Sequence, residues 1–416
     1  MNSLISYKTN MLKQGEFFEK CLTNSGFSGT ILIESFGKGN AMQKQSVKPA
    51  SQFAAAKKND RVFCFLMVFF LLFEILMITV VLARSLSGAS NLPTPPTQDE
   101  GTEDSTDGAT APNALPVFSG GVIPPLPHDT ADTKKISESN SKYVLLMDAE
   151  SGEIVAGRSI DERFQPASLT KVMTLIVAME HFTEEDLNKK LTVTQEAWDY
   201  ARSGAYQDAS VAGHDVGDEL TVRDLLFGIG VTSAADCTVI IANAVAGSEA
   251  AFVQKMNEKA TALGLADTHF DNAIGHESEN NYTTAREMAV IMSYAMQCDL
   301  IEAILGVTQH SFQMWGYNSA GAFVEFRFTY YSTLFRSRME TYQKYAKEPF
   351  ALSTAILTAG KTGSFVTSSY MVCTAKSKQN GTEYILVLGD APKPEGQPAS
   401  YLTMCDIKAI LDAYIK

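Results

Sequence analysis

Apolar and polar positions alternate with period two at Tyr143, Leu145 and Met147, the chain turns at Glu150-Ser151-Gly152, and Glu153 to Gly157 returns, which predicts a β-hairpin. The period then changes. From Ser168 onward Met173, Ile176, Val177 and Met179 recur at helical spacing, with Pro166 placed to open the helix. Thr221 with Asp224 predicts a capped helix containing Leu225, Leu226 and Ile229. Phe252, Met256 and Leu263 mark another that stops at Gly264, and Ala285 to Met296 marks a third. Near the end Met371 to Ala375 and Tyr384 to Leu388 flank Asn380-Gly381, a hairpin signal, and Asp406 to Lys416 reads as helix. Strands at both ends with helices between predict an α/β fold: one antiparallel sheet assembled from distant segments, flanked by helices, with a helix-rich subdomain.

The N-terminal third has a different texture. Val62 to Ala83 supplies 22 nearly unbroken apolar residues, interrupted by Glu74 alone. That length crosses roughly 30 Å of hydrocarbon. It exceeds the core of a signal peptide and lacks a small-residue cleavage site, so an uncleaved transmembrane helix is expected. Residues 1 to 61 hold nine Lys or Arg against four acids, and after Arg84 the next basic residue is Lys134. The positive-inside rule therefore predicts a single-pass protein of the cell membrane with a cytoplasmic, flexible tail (1–61) and everything after Arg84 outside. Residues 84–141 read as a Pro/Thr/Ser-rich solvated stalk and 142–416 as the folded unit. The net charge of -13 disfavours nucleic-acid partners. Cys237, Cys298, Cys373 and Cys405 fall in the exported part, where three full pairings or free thiols are all open.

Residues 312 to 350 hold twelve aromatics in thirty-nine positions. Phe326, Phe328 and Tyr330 alternate there with Glu325, Arg327 and Thr329, a half-buried strand pattern, and either an elaboration near a cleft or a partner surface would use it.

Two short stretches carry the chemistry, QPASLTKVMT from Gln165 and GKTGS from Gly360. A serine three residues before a lysine shares its helical face, with about 5 to 6 Å between Cβ atoms, so the amine reaches the hydroxyl it must deprotonate. The same spacing occurs at Ser35/Lys38 and Ser139/Lys142, but in polar surroundings without a helix start. No HExxH or similar metal-ligating cluster occurs, and no cofactor is implied.

QPASLTK, LLFGIGVTSAADC, HFDNAIGHESENNYTTAREMA and GKTGS, in this order over residues 143 to 416, resemble the serine D-alanyl-D-alanine carboxypeptidases, the low-molecular-weight penicillin-binding proteins. The resemblance implies the DD-peptidase/β-lactamase-like fold, in which SxxK, SxN and KTG line one cleft. It implies Ser168 as nucleophile and Lys171 as its base, with the N–H groups of Ser168 and Ser364 facing the oxyanion. Ser233 would relay a proton to the leaving amine. Lys361 and Thr362 would hold the terminal carboxylate and the acyl-amide strand, which Gly363 lets approach. Stem peptides ending in D-Ala-D-Ala are the implied substrates, and β-lactams the covalent inhibitors.

The middle motif departs from the family, with Ala235 where the pattern has Asn. That amide would bond the substrate backbone and steady the lysine, so its loss costs about 1.5 to 3 kcal/mol and Ala235→Asn is expected to raise turnover. Ser278-Glu279-Asn280 is an intact SxN elsewhere, and Asp236 is a second substitute to consider. A β-lactamase would need a fast deacylating base such as a Glu on a loop with a following Asn, and no convincing candidate stands in the sequence. A non-hydrolytic wall-peptide-binding protein is the remaining alternative, motivated by Ala235.

Overall fold

The hairpin expected from Tyr143 to Gly157 forms and takes its neighbours from the far end of the chain. A computed structural model describes residues 116–202 and 208–415, so the tail, the apolar span at 62–83 and the stalk up to residue 115 lie outside it. The strands are β1 (Lys134–Lys135), β2 (Tyr143–Asp148), β3 (Ile154–Arg158), β4 (Lys190–Thr192), β5 (Glu219–Thr221), β6 (Gln309–Tyr317), β7 (Phe323–Tyr331), β8 (Ala355–Ser364), β9 (Ser368–Ser377) and β10 (Glu383–Pro392). The larger sheet runs β1-β3-β2-β10-β9-β8, antiparallel except where the short β1 joins β3. Strand β10 docks between β2 and β9 with Val387 opposite both Leu145 and Val372, so apolar positions from the two ends of the chain face the same side. Gly381 at φ +77 turns β9 into β10, as Asn-Gly predicts.

The helices are α1 (Lys171–Met179), α2 (Gln195–Tyr200), α3 (Val222–Val231), α4 (Ala235–Ala246), α5 (Glu249–Ala262), α6 (Ala285–Ala295), α7 (Asp299–Gly306), α8 (Met339–Ala346) and α9 (Ala399–Tyr414). One core lies between the sheet face carrying Leu145, Val372 and Val387 and the helices α1 and α3 to α7; a second lies on the opposite face under α8 and α9. All nine residues of α1 are buried, Lys171 included. A helix apolar all round belongs in a core, and each Leu, Ile, Val or Met enclosed there contributes about 1.5 to 3 kcal/mol. The Thr221 cap forms as expected, its hydroxyl accepting from Asp224 N at 3.1 Å and meeting the Asp224 carboxylate at 2.5 Å.

Two features differ from the sequence reading. A second sheet, β4-β5-β6-β7, stands in the middle of the chain, where a helix-rich stretch and, at Glu325 to Tyr330, a lone half-buried strand pattern were expected. The aromatic alternation belongs to its edge strand: Tyr330 is buried, Phe328 half-buried and Phe326 exposed along β7, because only one end of the strand reaches the core. The other difference is residues 116–141, assigned by composition to the stalk. They run against the folded unit: Phe118 and Ile136 are buried, and Val117 N donates to Phe182 O (2.7 Å) and Ile136 N to Gly157 O (2.9 Å). The folded unit thus begins before residue 142. The four cysteines of the described region are free thiols.

Asp406 ties this arm to α9. Its buried carboxylate accepts from Asn140 N (3.0 Å), Asn140 Nδ2 (2.8 Å), Ser141 N (2.7 Å) and Ser141 Oγ (2.7 Å). Asp406→Ala removes the acceptor of Asn140 N, Asn140 Nδ2 and Ser141 Oγ, leaving Ser141 N only Ser139 Oγ at 3.1 Å, and is expected to cost about 2 to 4 kcal/mol. Thermal denaturation should show a midpoint lowered by several degrees, and an unchanged midpoint would contradict this role.

Candidate active site

Ser168 stands on a 3-10 turn, Ala167–Thr170, that runs directly into α1. Its hydroxyl is not used to cap the helix, since no side chain caps either the turn or α1. Ala167 sits at φ +49, a conformation that costs a non-glycine residue on the order of 1 kcal/mol or more and is tolerated where the surroundings hold it. Lys171 Nζ lies 3.2 Å from Ser168 Oγ and donates to Ile274 O at 2.6 Å. Gly275 makes that carbonyl available: at φ +77 it lies so close to Ala167 O that a Cβ could not be placed.

The KTGS segment ends β8 beside this turn. A Cβ at Gly363 would come within 3.1 Å of Tyr370 Cβ and 3.2 Å of Ala167 Cβ, so glycine lets the strand lie against the turn that carries Ser168. Ser168, Lys171 and Ser364 line one cleft of about 750 Å³. Lys361 Nζ donates to Ser233 Oγ (2.8 Å) and to Thr362 O (2.8 Å). Ser233 is 4 % exposed and Lys361 fully buried, so this pair lies beneath the surface that Ser168 presents. Ser233, like Ala167, holds a positive φ, +63. Thr362 Oγ1 meets Thr333 Oγ1 at 2.8 Å.

Burial dominates the electrostatics. It brings the Lys171 ammonium down to about 7, against the opposing pull of the Asp236 and Glu249 carboxylates. Burial also pushes Lys361 well below its ordinary range, helped by the positive charges of Lys171 and Arg338. Lys171 is thus a free amine for much of the time near neutral pH, with its lone pair available to the Ser168 hydroxyl. Buried lysine, serine and a strand end bearing N–H groups form an arrangement suited to acyl transfer through a serine ester.

Residues 129–392, well over half of the chain, match the family model described as D-alanyl-D-alanine carboxypeptidase. The chain belongs to the D-alanyl-D-alanine carboxypeptidase family. Among curated members, DacF of Bacillus subtilis (strain 168) is 32% identical over 181 residues, covering 42% of this chain and 44% of the relative. DacA of Escherichia coli (strain K12) is 35% identical over 161 residues, covering 38% and 39%. The matched stretch therefore spans less than half the length of these relatives. In fold, the chain is similar to the Streptomyces K15 DD-transpeptidase (TM-score 0.53, 24% identity, 66% of this chain and 98% of that one). It is also similar to penicillin binding protein 5 from Haemophilus influenzae (TM-score 0.52, 23% identity, 67% and 71%).

Within this family framework the departures have clear positions. Ala235 is fully buried in a small apolar cluster with Ala201 and Ile274, against which Tyr200, Ala209 and Val211 pack. Asp236 is not a substitute for the amide, since its carboxylate accepts from Ala212 N (3.0 and 3.2 Å) and pairs with Arg202 at 3.7 Å. Ser278 donates its hydroxyl to Asp271 (2.5 Å) in an exposed loop, so Ser278-Glu279-Asn280 is a turn and Ser233 is the serine that meets the KTG lysine. His269 holds the same loop through Asn280 O (2.6 Å).

Arg338 escaped the sequence reading. It is buried at the start of α8, in the aromatic-rich stretch, and donates to Gly363 O (2.8 Å) and Ser364 Oγ (3.3 Å). No spacing or motif announces it.

With Lys171 as the base for Ser168, the role the resemblance implies, the rate of acylation by a penicillin should rise as pH passes about 7 and level off above. A fluorescent penicillin followed across pH 5 to 10 measures this limb. A limb displaced toward the ordinary lysine value of 10.5 would contradict a free amine near neutrality.

Proposed function

We propose that this domain is a penicillin-sensitive serine D,D-carboxypeptidase that removes the terminal D-alanine from peptidoglycan stem peptides. The observation that carries the reading is the buried Lys171 amine, held near 7 and 3.2 Å from the Ser168 hydroxyl. Lys171 takes the Ser168 proton as Oγ attacks the carbonyl carbon of the penultimate D-alanine. The oxyanion is received by the N–H groups of Ser168 and Ser364. Ser233, bonded to Lys361, passes its proton to the departing amine nitrogen and takes in return the one that Lys171 received, so the C–N bond breaks, D-alanine leaves and Lys171 is a free amine once more. Water then attacks the ester with Lys171 again as base, releasing the shortened peptide and restoring Ser168.

The charge pattern supports an anionic substrate terminus. Lys171, Lys361 and Arg338 are all buried, and the last two have no salt-bridge partner among the described residues. A substrate carboxylate near Lys361 and Thr362 would supply the missing charge and favour the ammonium form of Lys361. The test is covalent labelling by a fluorescent penicillin together with D-alanine release from a diacetyl-Lys-D-Ala-D-Ala peptide. Ser168→Ala should abolish both and Lys171→Ala should nearly do so. Labelling that persists in Ser168→Ala would place the nucleophile elsewhere. Peptide binding without release by the wild type would favour the wall-binding alternative.

The same proposal includes a single-pass anchor at Val62 to Ala83 with the domain outside the cell, supported by the apolar run and by the nine basic residues before it. Among the described residues no single helix is long and apolar enough to cross a membrane. Protease added to intact cells should cut between residues 84 and 115 and release the domain as a soluble fragment. Fragment recovered only after the membrane is opened would reverse the orientation.

A further inference from the structure

A peptide held along β8 has Ser364 on one side and a second wall on the other, formed by Asp208, Ala209, Ser210 and the Ile274–Glu277 loop. In the resemblance set out above, the amide at position 235 would reach the substrate from that second wall. Here position 235 is a buried alanine, and the space beside it is filled by Ile274 and Val211. Of the two tasks expected of the amide, steadying the lysine is already performed by Ile274 O, 2.6 Å from Lys171 Nζ. The substrate contact has to come from another group.

We propose that Ser210 supplies it, its hydroxyl donating to the acyl-amide carbonyl of the bound peptide. The inference rests on the carboxypeptidase reading. Ser210 lies over the start of α4: Ala235 N donates to Ser210 O at 2.8 Å, so the backbone of the segment is bonded to the very residue whose side chain is short. Two residues on, Ala212 N is held by the Asp236 carboxylate at 3.0 and 3.2 Å, and Asp236 is itself buried and next to Arg202. Positions 210 and 212 are thereby fixed to the first turn of α4, which gives the loop the placement that a side chain on α4 would otherwise have. Ser210 is exposed to the cleft, and its hydroxyl has no protein partner among the described residues. A carbonyl requires a donor. The carboxylates of Asp208 and Glu277 on the same wall only accept hydrogen bonds and cannot serve a carbonyl.

The experiment compares acylation of the full chain by two penicillins: benzylpenicillin, whose acylamino side chain carries the carbonyl in question, and unsubstituted penicillanic acid, which lacks it. The readout is the ratio of the two second-order rate constants. The proposal expects Ser210→Ala to lower this ratio about tenfold, the loss of one hydrogen bond made in the transition state, and Ser210→Thr to retain most of it. Ala235→Asn should lower the ratio as well, because the larger side chain has to displace the Ser210 segment. An unchanged ratio in Ser210→Ala overturns the proposal, as does a higher ratio in Ala235→Asn. Equal slowing with both penicillins would show a structural role and also overturns it. A wild type inert to both compounds would instead sink the carboxypeptidase reading, and this inference with it.

Discussion

An amine buried beside a serine is the constraint from which the rest of this structure follows. Removing an ammonium from water costs several kcal/mol even after a protein relaxes around it, and Lys171 stands on a helix with no exposed residue. The cost is limited by loss of the proton and by one strong acceptor, Ile274 O. That acceptor depends on its own loop: Asn272 Oδ1 takes the N–H groups of Gly275 and His276, both at 2.8 Å, and Gly275 adopts a backbone closed to other residues at that distance from Ala167. The positive φ at Ala167 and the tight approach of Gly363 belong to the same packing problem. These elements together hold the Lys171 amine within 3.2 Å of the Ser168 hydroxyl.

The second buried lysine extends the argument. Lys361 is stabilised by a serine hydroxyl and its neighbour's carbonyl, without a carboxylate, and two further cations depress its proton affinity. A protein selected only for stability would place an acid among these three groups, because a buried cation without a partner is costly. The net charge of -13 shows that acids are plentiful in the chain. Among the described residues none of them pairs with Lys361 or Arg338, and under the proposed function a substrate carboxylate would complete that charge.

How much of this the sequence showed depended on whether a feature is local. Ser168 with Lys171, and Lys361 through Ser364, are contiguous runs whose neighbours reveal their setting, and the structure joins them as their order implied. The Thr221 cap and the Asn-Gly turn are equally local. The second sheet was not legible, because β4 and β5 have three residues each, too few to show a period, and β5 meets β6 at the single pair Glu219 and Trp315. The arm at 116–141 was misread for a related reason. Its proline-rich composition suggests solvation, yet a few apolar residues such as Phe118 and Ile136, with main-chain hydrogen bonds to the domain, are enough to fix it. Arg338 and Ile274 act through contacts with residues 25 and 103 positions away, and no pattern along the chain encodes such a meeting.

Ala235 shows where motif reading reaches its limit. From the sequence, an alanine in place of an amide reads as lost chemistry, and loss of the contact suggests a weakened or retired enzyme. In three dimensions, position 235 provides its backbone N–H, and that group fixes Ser210, while Asp236 fixes Ala212. The short side chain packs in one apolar cluster with Ile274, whose carbonyl accepts from Lys171. The substitution of a small residue and the close approach of the 208–212 segment are two parts of one arrangement. A residue can therefore depart from a motif while the position it occupies continues to organise the same site.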